Sequence, residues 1–211
     1  MSRGRCRHRR LVGFVLAGFV VARGEPAAGG RLTDFSQEEF RTLPRLCLAQ
    51  QFINEELESP VVPESERKQL SESLGHSFTH YHHYCWALLY MRRAAKPGGD
   101  KFDYHRAVDN LNYVIRNADP SFALLPEVYF QKGNVLGGLG DREAAVSEYQ
   151  NALRARADYT PARAALVQLY LDLGDVEAAR AALEEGLKHD PSSKTLAEKK
   201  SALAEREKER R

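Results

Sequence analysis

The sequence contains few of the residues and patterns on which catalytic and metal-binding proteins depend. Among 211 residues there are only three cysteines, two methionines and one tryptophan. We find no glycine-rich phosphate loop, no nucleophile elbow and no paired carboxylates in a recognisable arrangement. No HExxH, CxxC or CxxCH motif marks a metal or haem site. These absences lead us to expect a non-enzymatic protein without a cofactor.

Long hydrophobic runs are also scarce. The apolar stretch over residues 11–22 has twelve residues, whereas a helix that spans a bilayer needs about 20. It follows five arginines and ends in small residues at Val20-x-Ala22. This pattern is typical of a secretory signal peptide, so we expect residues 1–22 to be removed by cleavage after Ala22. An uncleaved signal anchor is the alternative, and Arg9-Arg10 also allows a twin-arginine signal.

The positive charge of the chain lies in this N-terminal segment. Without residues 1–22 the chain has 26 basic and 29 acidic residues, so its net charge falls from +2 to −3. No basic stripe remains to contact phosphates, so we expect no nucleic-acid binding. We expect an exported protein, located in the periplasm and without a stable membrane anchor, in which the Gly/Pro/Ala-rich residues 23–31 form a flexible linker.

A 34-residue echo is the clearest pattern in the C-terminal half. Gly140-Asp141 recurs as Gly174-Asp175, and Ala144-Ala145 recurs as Ala178-Ala179. Glycine suits the point where a helix stops and the chain turns, and aspartate suits the N-cap of the helix that follows. A period of 34 with such a turn indicates helical hairpins, which must stack because they cannot bury their apolar faces alone.

These segments resemble tetratricopeptide repeats (TPR), whose signature is W-x2-L-G-x2-Y in the first helix, A-x3-F in the second and a proline at the end. In residues 126–159 the matching residues are Tyr129, Gly133, Leu136, Ala145 and Tyr149. In residues 160–193 they are Leu166, Tyr170, Ala179, Leu183 and Pro191, whereas Arg163 replaces the tryptophan. A more divergent copy, with eight additional residues around a Pro-Gly-Gly turn, has His83, Trp86, Ala87, Tyr90, Ala107 and Leu111.

The resemblance implies an all-α fold, namely a TPR-like α-solenoid of about three helix-turn-helix repeats over residues 76–193. We expect residues 32–75 to form N-terminal helices that pack on the first repeat. Ser36 to Glu39 can form a capping box, and a helix is expected from Pro44 to Ile53. Residues 194–211 are expected to form the polar capping helix that the end of a solenoid needs.

TPR proteins bind protein or peptide segments in a concave groove lined by their first helices. The groove positions of the family correspond here to Tyr81, Tyr84, Leu88, Met91, Glu127, Phe130, Asn134, Gly137, Ala164, Gln168 and Leu171. These side chains suit an apolar peptide with a few backbone hydrogen bonds. The lysine/asparagine clamp that chaperone-binding relatives use is absent, since only Asn134 matches it. The resemblance thus predicts an adaptor in cell-envelope assembly, unless the N-terminal helices fill the groove and make Tyr81 and Tyr84 core residues.

Two cysteines, Cys47 and Cys85, remain beyond the expected cleavage site. An even number in an exported protein favours one disulfide, which would tie the N-terminal helices to the first repeat. Two buried, unpaired thiols are the alternative, because the sequence does not show whether their Cα atoms approach closely enough.

Histidines are concentrated in residues 76–83. On a helix, His76, His80 and His83 would share one face, which suggests the alternative function of a metal- or haem-binding periplasmic protein. The simpler interpretation is that these histidines pack between helices and donate their ring N–H groups to backbone carbonyls.

Overall fold

The computed structural model describes residues 35–59 and 61–209, and the regular secondary structure in these ranges is entirely helical. The expected all-α fold class is therefore confirmed. The expected signal peptide (residues 1–22) and linker (residues 23–31) lie outside the described residues. Within the described ranges, no helix combines the length and apolar character needed to cross a bilayer.

Four short helices and a 3₁₀ helix precede the repeats: α1 (Gln37–Arg41), α2 (Arg45–Leu48), α3 (Gln51–Glu56), α4 (Glu64–Leu74) and the 3₁₀ helix (His76–Tyr81). The expected capping box is present, since the Ser36 hydroxyl accepts from the Glu39 N–H at 3.2 Å and the Glu39 carboxylate accepts from the Ser36 N–H at 3.0 Å. The helix expected from Pro44 to Ile53 is divided in two, because Gln50 has an extended backbone that separates α2 from α3.

Three helical hairpins and one further helix make up the rest of the described chain. Their helices are α5 (His82–Ala94) and α6 (Phe102–Asn117), α7 (Leu125–Leu139) and α8 (Arg142–Ala155), α9 (Thr160–Asp172) and α10 (Val176–His189), and finally α11 (Lys194–Glu209). Each hairpin packs on its neighbour, and α11 packs on α9 and α10. The buried residues of α11 are Leu196 and Leu203, which lie on its apolar side.

The turns of the second and third hairpins have the predicted chemistry. Gly140 and Gly174 adopt φ values of +89° and +74°, a left-handed conformation that glycine enters without steric cost. The Asp141 carboxylate accepts from the Ala144 N–H at 3.1 Å, and the Asp175 carboxylate accepts from the Ala178 N–H at 3.0 Å. Each glycine therefore ends one helix, and each aspartate caps the next.

The first hairpin accommodates its additional residues in a longer connection. Seven residues join α5 to α6, whereas two residues join α7 to α8. A salt bridge joins the end of α5 to the start of α6, since Arg93 Nε donates to the carboxylate of Asp103 at 2.7 Å. Asp103 is 3% exposed, and its hydrogen bond with Arg93 lowers the pKa of its carboxyl group. The insertion thus leaves the packing of the two helices intact.

Small residues let the paired helices approach closely. A Cβ atom added to Gly133 on α7 would lie 2.5 Å from Cε1 of Tyr149 on α8. Ala145 on α8 is fully buried, and a Cβ atom on Gly137 would lie 3.8 Å from the Ala145 Cβ. In the first hairpin, Ala87 and Ala107 are likewise fully buried. The tight contacts therefore occur at the positions that the repeat signature predicts.

The N-terminal helices pack on α5. The Cα atoms of Cys47 and Cys85 are 5.5 Å apart, within the range of a disulfide. This geometry supports the predicted bridge. On the same side, Arg92 of α5 donates to the carbonyl oxygen of Thr42 at 2.8 Å.

We expect Ala145→Leu to destabilise the fold by about 1–3 kcal/mol, because added methylene groups have no space in a packed contact. The matched control is Ala155→Leu, since Ala155 is the exposed last residue of α8. Thermal melts of both variants measure the difference. Equal losses of stability would contradict the assigned register.

We expect thiol counting on denatured protein isolated from the cell envelope to find no free Cys47 or Cys85 without reductant, and both after reduction. The bridge closes a loop with a sequence separation of 38, which stabilises the fold by about 3–4 kcal/mol on the loop-entropy estimate. Reduction should therefore lower the melting temperature. Two free thiols in the untreated protein would refute the pairing.

Candidate interaction surface

The part of the predicted groove that lies on the first repeat is closed. Tyr81 and Tyr84 are 3% and 4% exposed, so the expectation that they contact a partner is corrected: they are core residues. Their rings stack with centroids 4.5 Å apart, and Phe122 meets the Tyr81 ring edge-on at 6.0 Å. Phe78 of the 3₁₀ helix stacks on Tyr81 at 5.9 Å. The covering rings therefore come from the 3₁₀ helix and from the turn before α7.

Leu88 and Met91, the other groove residues predicted on the first repeat, are half-buried against the same core. They belong to α5, the helix that also carries Cys85 and Arg92. Neither residue is among the large hydrophobic side chains that the described part of the chain exposes. At these two positions the first repeat therefore packs against the core and does not form an open side of the predicted groove.

Glu127 is the centre of a hydrogen-bond network between repeats. Its Oε1 accepts from the hydroxyl of Tyr84 at 2.9 Å and from the amide of Gln131 at 2.9 Å, and its Oε2 accepts from the hydroxyl of Tyr159. Burial, followed by the neighbouring Tyr81 and the Glu127 carboxylate, raises the pKa of Tyr84. Burial also raises the pKa of Tyr159. Both phenols therefore stay protonated and serve as donors to Glu127.

Asn134 belongs to the same hydrogen-bond network as Glu127, because both residues bond to Gln131. Its amide donates to Gln131 Oε1 at 3.0 Å, and its Oδ1 accepts from the hydroxyl of Tyr149 at 2.9 Å. The ring of Phe130 lies 6.0 Å from that of Tyr149 and 5.8 Å from that of Tyr159. The polar groups predicted to bind a partner backbone are thus already bonded within the protein. Sequence reasoning did not identify Gln131 or Tyr159 as members of this network.

The third repeat is similar. Leu171 and Ala164 are 4% and 5% exposed, so their predicted place in an open groove is also corrected. Gln168 donates to Asp172 at 2.8 Å and accepts from Lys199 of α11 at 2.8 Å. Lys199 of the C-terminal helix therefore reaches Gln168, because α11 packs on α9.

An open groove of about 500 Å³ lies on a different face of α9. Its floor contains Leu166 and Tyr170, and its walls are formed by α8 and α10. At about 100° per residue, these floor positions and the predicted Gln168 fall on separate faces of the helix. The residues that line the groove include two arginines, Arg154 and Arg163, and no acidic residue. The complete lining is Gln150, Leu153, Arg154, Arg163, Leu166, Tyr170, Ala178, Ala181 and Ala182.

Arg163 occupies the position at which the repeat signature has tryptophan. Its stem packs closely on α10, since a Cβ atom added to Gly186 would lie 2.7 Å from Arg163 Cγ. Its Nη2 donates to the carbonyl oxygen of Ala157 at 3.3 Å, whereas its buried Nε has no hydrogen-bond partner among the described residues. Burial lowers the pKa of this guanidinium. The sequence analysis did not predict this groove, although the departure of Arg163 from the signature is a signal that could have indicated it.

The histidine cluster forms packing contacts. His83 Nδ1 donates to Asn110 Oδ1 at 2.7 Å, and its ring lies 3.8 Å from that of Tyr113. His82 Nδ1 donates to the carbonyl oxygen of Thr79 at 2.6 Å, and burial lowers its pKa to about 4. His76 and His80 meet edge-to-face at 5.4 Å, on the 3₁₀ helix that precedes α5. Within residues 35–59 and 61–209, no three His, Cys, Asp or Glu side chains are grouped in a way that suits a metal ion.

Comparisons with known proteins agree with the repeat assignment. A sequence model of the tetratricopeptide repeat family matches residues 138–203, from the end of α7 into α11. The fold is similar to the crystal structure of a thermophilic TPR protein from Thermus thermophilus, with a TM-score of 0.51 and 21% identity over 75% of this chain and 88% of that chain. No curated protein matches the sequence. The family match thus covers the third hairpin and parts of its neighbours, and the solved structure shows that this chain shares the fold of a TPR solenoid.

Proposed function

We propose that this protein is a non-enzymatic, exported scaffold that binds an acidic protein segment in the groove between α8 and α10. The TPR fold is one that generally serves protein–protein interaction. The single observation that carries the finer proposal is Arg163, a partly buried arginine in an open groove whose lining contains no acidic residue. A carboxylate from a partner would supply the negative charge that this lining lacks.

Charge and shape support this choice of partner. A carboxylate that enters the groove would meet Arg163 and Arg154, and its neighbouring apolar side chains would contact Leu153, Leu166 and the alanines of α10. Glu185 is the acidic residue whose charge acts on the pKa of Arg163, and its carboxylate already forms a salt bridge with Lys188 at 3.0 Å. Charge-assisted hydrogen bonds are stronger than neutral ones, and their strength increases where water is excluded.

The face first expected to bind a partner offers fewer free groups. Glu127, Gln131 and Asn134 bond to one another and to three tyrosines. A partner on that face would have to break existing hydrogen bonds, whereas a partner in the α8–α10 groove would meet two arginines and no acidic residue in the lining. We therefore assign recognition to the α8–α10 groove.

Binding is best tested by selecting a displayed random peptide library on the wild-type protein. We expect selected peptides to combine a Glu or Asp with apolar residues, and we expect Arg163→Ala to weaken a selected peptide at least tenfold, since a charged hydrogen bond contributes about 1.5–3 kcal/mol. The matched control is Arg142→Ala, which removes an arginine that is exposed at the start of α8 and absent from the groove lining.

Two further variants sharpen that experiment. Arg163→Trp restores the signature residue and should fill the groove, which would abolish peptide binding while leaving the protein folded. Phe130→Ala perturbs the other face of the repeats and should leave the peptide affinity unchanged. Selected peptides without acidic residues, or binding that is lost with Phe130→Ala and retained with Arg163→Ala, would refute the proposed groove.

Export to the cell envelope is the second part of the proposal. The five arginines, the apolar residues 11–22 and the Val20-x-Ala22 site support it, as does the Cys47–Cys85 geometry, since disulfides persist in oxidising compartments. We expect the intact mass of protein from an envelope extract to correspond to a chain that begins at Arg23. A membrane-bound species that retains residues 1–22 would instead indicate a signal anchor.

A further inference from the structure

A buried histidine lies where α3 meets α5. The ring centroid of His82 on α5 is 4.4 Å from that of Phe52 on α3. Its other ring contacts are with His83 at 4.4 Å and with Trp86 at 5.0 Å. His82 is 8% exposed, whereas Phe52 is 47% exposed and is one of three large hydrophobic side chains that the described part of the chain leaves exposed. An exposed phenylalanine ring therefore covers a buried imidazole.

The packing of His82 suits its neutral form. Its Nδ1 lies 2.6 Å from the carbonyl oxygen of Thr79, so Nδ1 carries the hydrogen and a second proton would bind to Nε2. Burial is the largest cause that lowers the pKa of His82 from 6.5 to about 4, and the hydrogen bond with Thr79 opposes this effect. A charged imidazole needs water or an acceptor, and the rings around His82 supply neither.

None of the carboxylates in the described ranges compensates for a charge on His82. The charged groups that act on its pKa are His83 and His80, which both disfavour protonation. From α6, Asn110 and Tyr113 contact the ring of His83. The cavity beside Phe52 and Thr79 is lined by four charged residues of α3 and α4, none of which acts on the pKa of His82: Glu55, Glu64, Arg67 and Lys68.

The chain around α3 allows this helix to move separately. Cys47 of α2 pairs with Cys85, which lies within one helical turn of His82 on α5, so the disulfide fixes α2. Gln50 has an extended backbone between α2 and α3. The helix α3 itself has six residues, and Ile53 is its one fully buried apolar side chain. A weaker contact at His82 would therefore loosen α3 first.

We propose that the contact between His82 and Phe52 is acid-sensitive, so that a fall in pH opens α3 away from α5 while the disulfide keeps α2 in place. Because the open form takes up the proton more readily, the closed form loses stability as the pH falls from 6.5 towards about 4. This contact is separate from the α8–α10 groove and does not depend on the function proposed there.

The test is hydrogen exchange of backbone amides, followed by NMR at about pH 7.5 and 4.5 and corrected for the intrinsic exchange rates. The reporter is the N–H of Asn54 in α3, which donates to the carbonyl oxygen of Gln50 at 2.8 Å. We expect its protection to fall by about 50-fold, the factor by which an imidazole with these two pKa values favours opening. Amides in the middle of α10 should keep their protection. Unchanged protection in α3, or an equal fall in α10 through global unfolding, would overturn the proposal.

Variants assign the effect to His82. In His82→Asn the amide can still donate to Thr79 but does not titrate, so the protection of Asn54 should change by less than about threefold between the two pH values. The matched control is His105→Asn, which removes an exposed histidine of α6 and should retain the fall of about 50-fold. A fall of that size retained in His82→Asn would refute the assignment.

A second variant tests the cover and does not depend on the folding of His82→Asn. Phe52→Ala uncovers the imidazole, so NMR titration of the His82 ring should give a midpoint near the ordinary histidine value of about 6.5. In the wild-type protein the midpoint should lie below about pH 5, because burial holds the ring neutral. Equal midpoints in the two proteins would show that Phe52 does not control the protonation of His82.

Discussion

The contact between Gly133 and Tyr149 is the constraint on which the arrangement of the repeats depends. Any side chain at Gly133 would enter the tyrosine ring, because a Cβ atom there would lie 2.5 Å from Cε1. The missing side chain lets α7 and α8 approach, and the ring in turn fills the space beside them. The Tyr149 hydroxyl then reaches Asn134 at 2.9 Å. The close contact between α7 and α8 at Gly133 thus positions the Tyr149 ring in the apolar core and its hydroxyl against Asn134.

Glu127 extends this arrangement across the three repeats. It lies on α7 and accepts from Tyr84 on α5 and from Tyr159 at the start of α9. A partly buried carboxylate is tolerated where several donors compensate for lost hydration, and removal of one donor would leave it under-bonded. Because its donors come from repeats on both sides, this one side chain joins the neighbouring units. The same saturation leaves that face of α7 with few free groups for a partner.

Buried polar atoms without a hydrogen-bond partner among the described residues occur elsewhere. Arg163, which occupies a tryptophan position of the signature, has a buried Nε without a hydrogen-bond partner among the described residues. Gln50, Asn54 and Arg67 surround a cavity that short N-terminal helices form against the 3₁₀ helix. These helices have four to eleven residues each.

The sequence by itself determined the helical hairpins, their 34-residue period and the residues at their turns and tight contacts. Those features are local: glycine turns, aspartate caps and small residues act within a few residues of chain or within one hairpin. The sequence also indicated Cys47 and Cys85 as the candidate disulfide pair. Only the tertiary structure decided that Tyr81, Tyr84 and Leu171 are buried and that Gln168 accepts a hydrogen bond from Lys199 of α11. It also placed the open surfaces at Arg163 and near Asn54. Exposure depends on which distant segments cover a residue, and a repeat signature describes one unit without its neighbours.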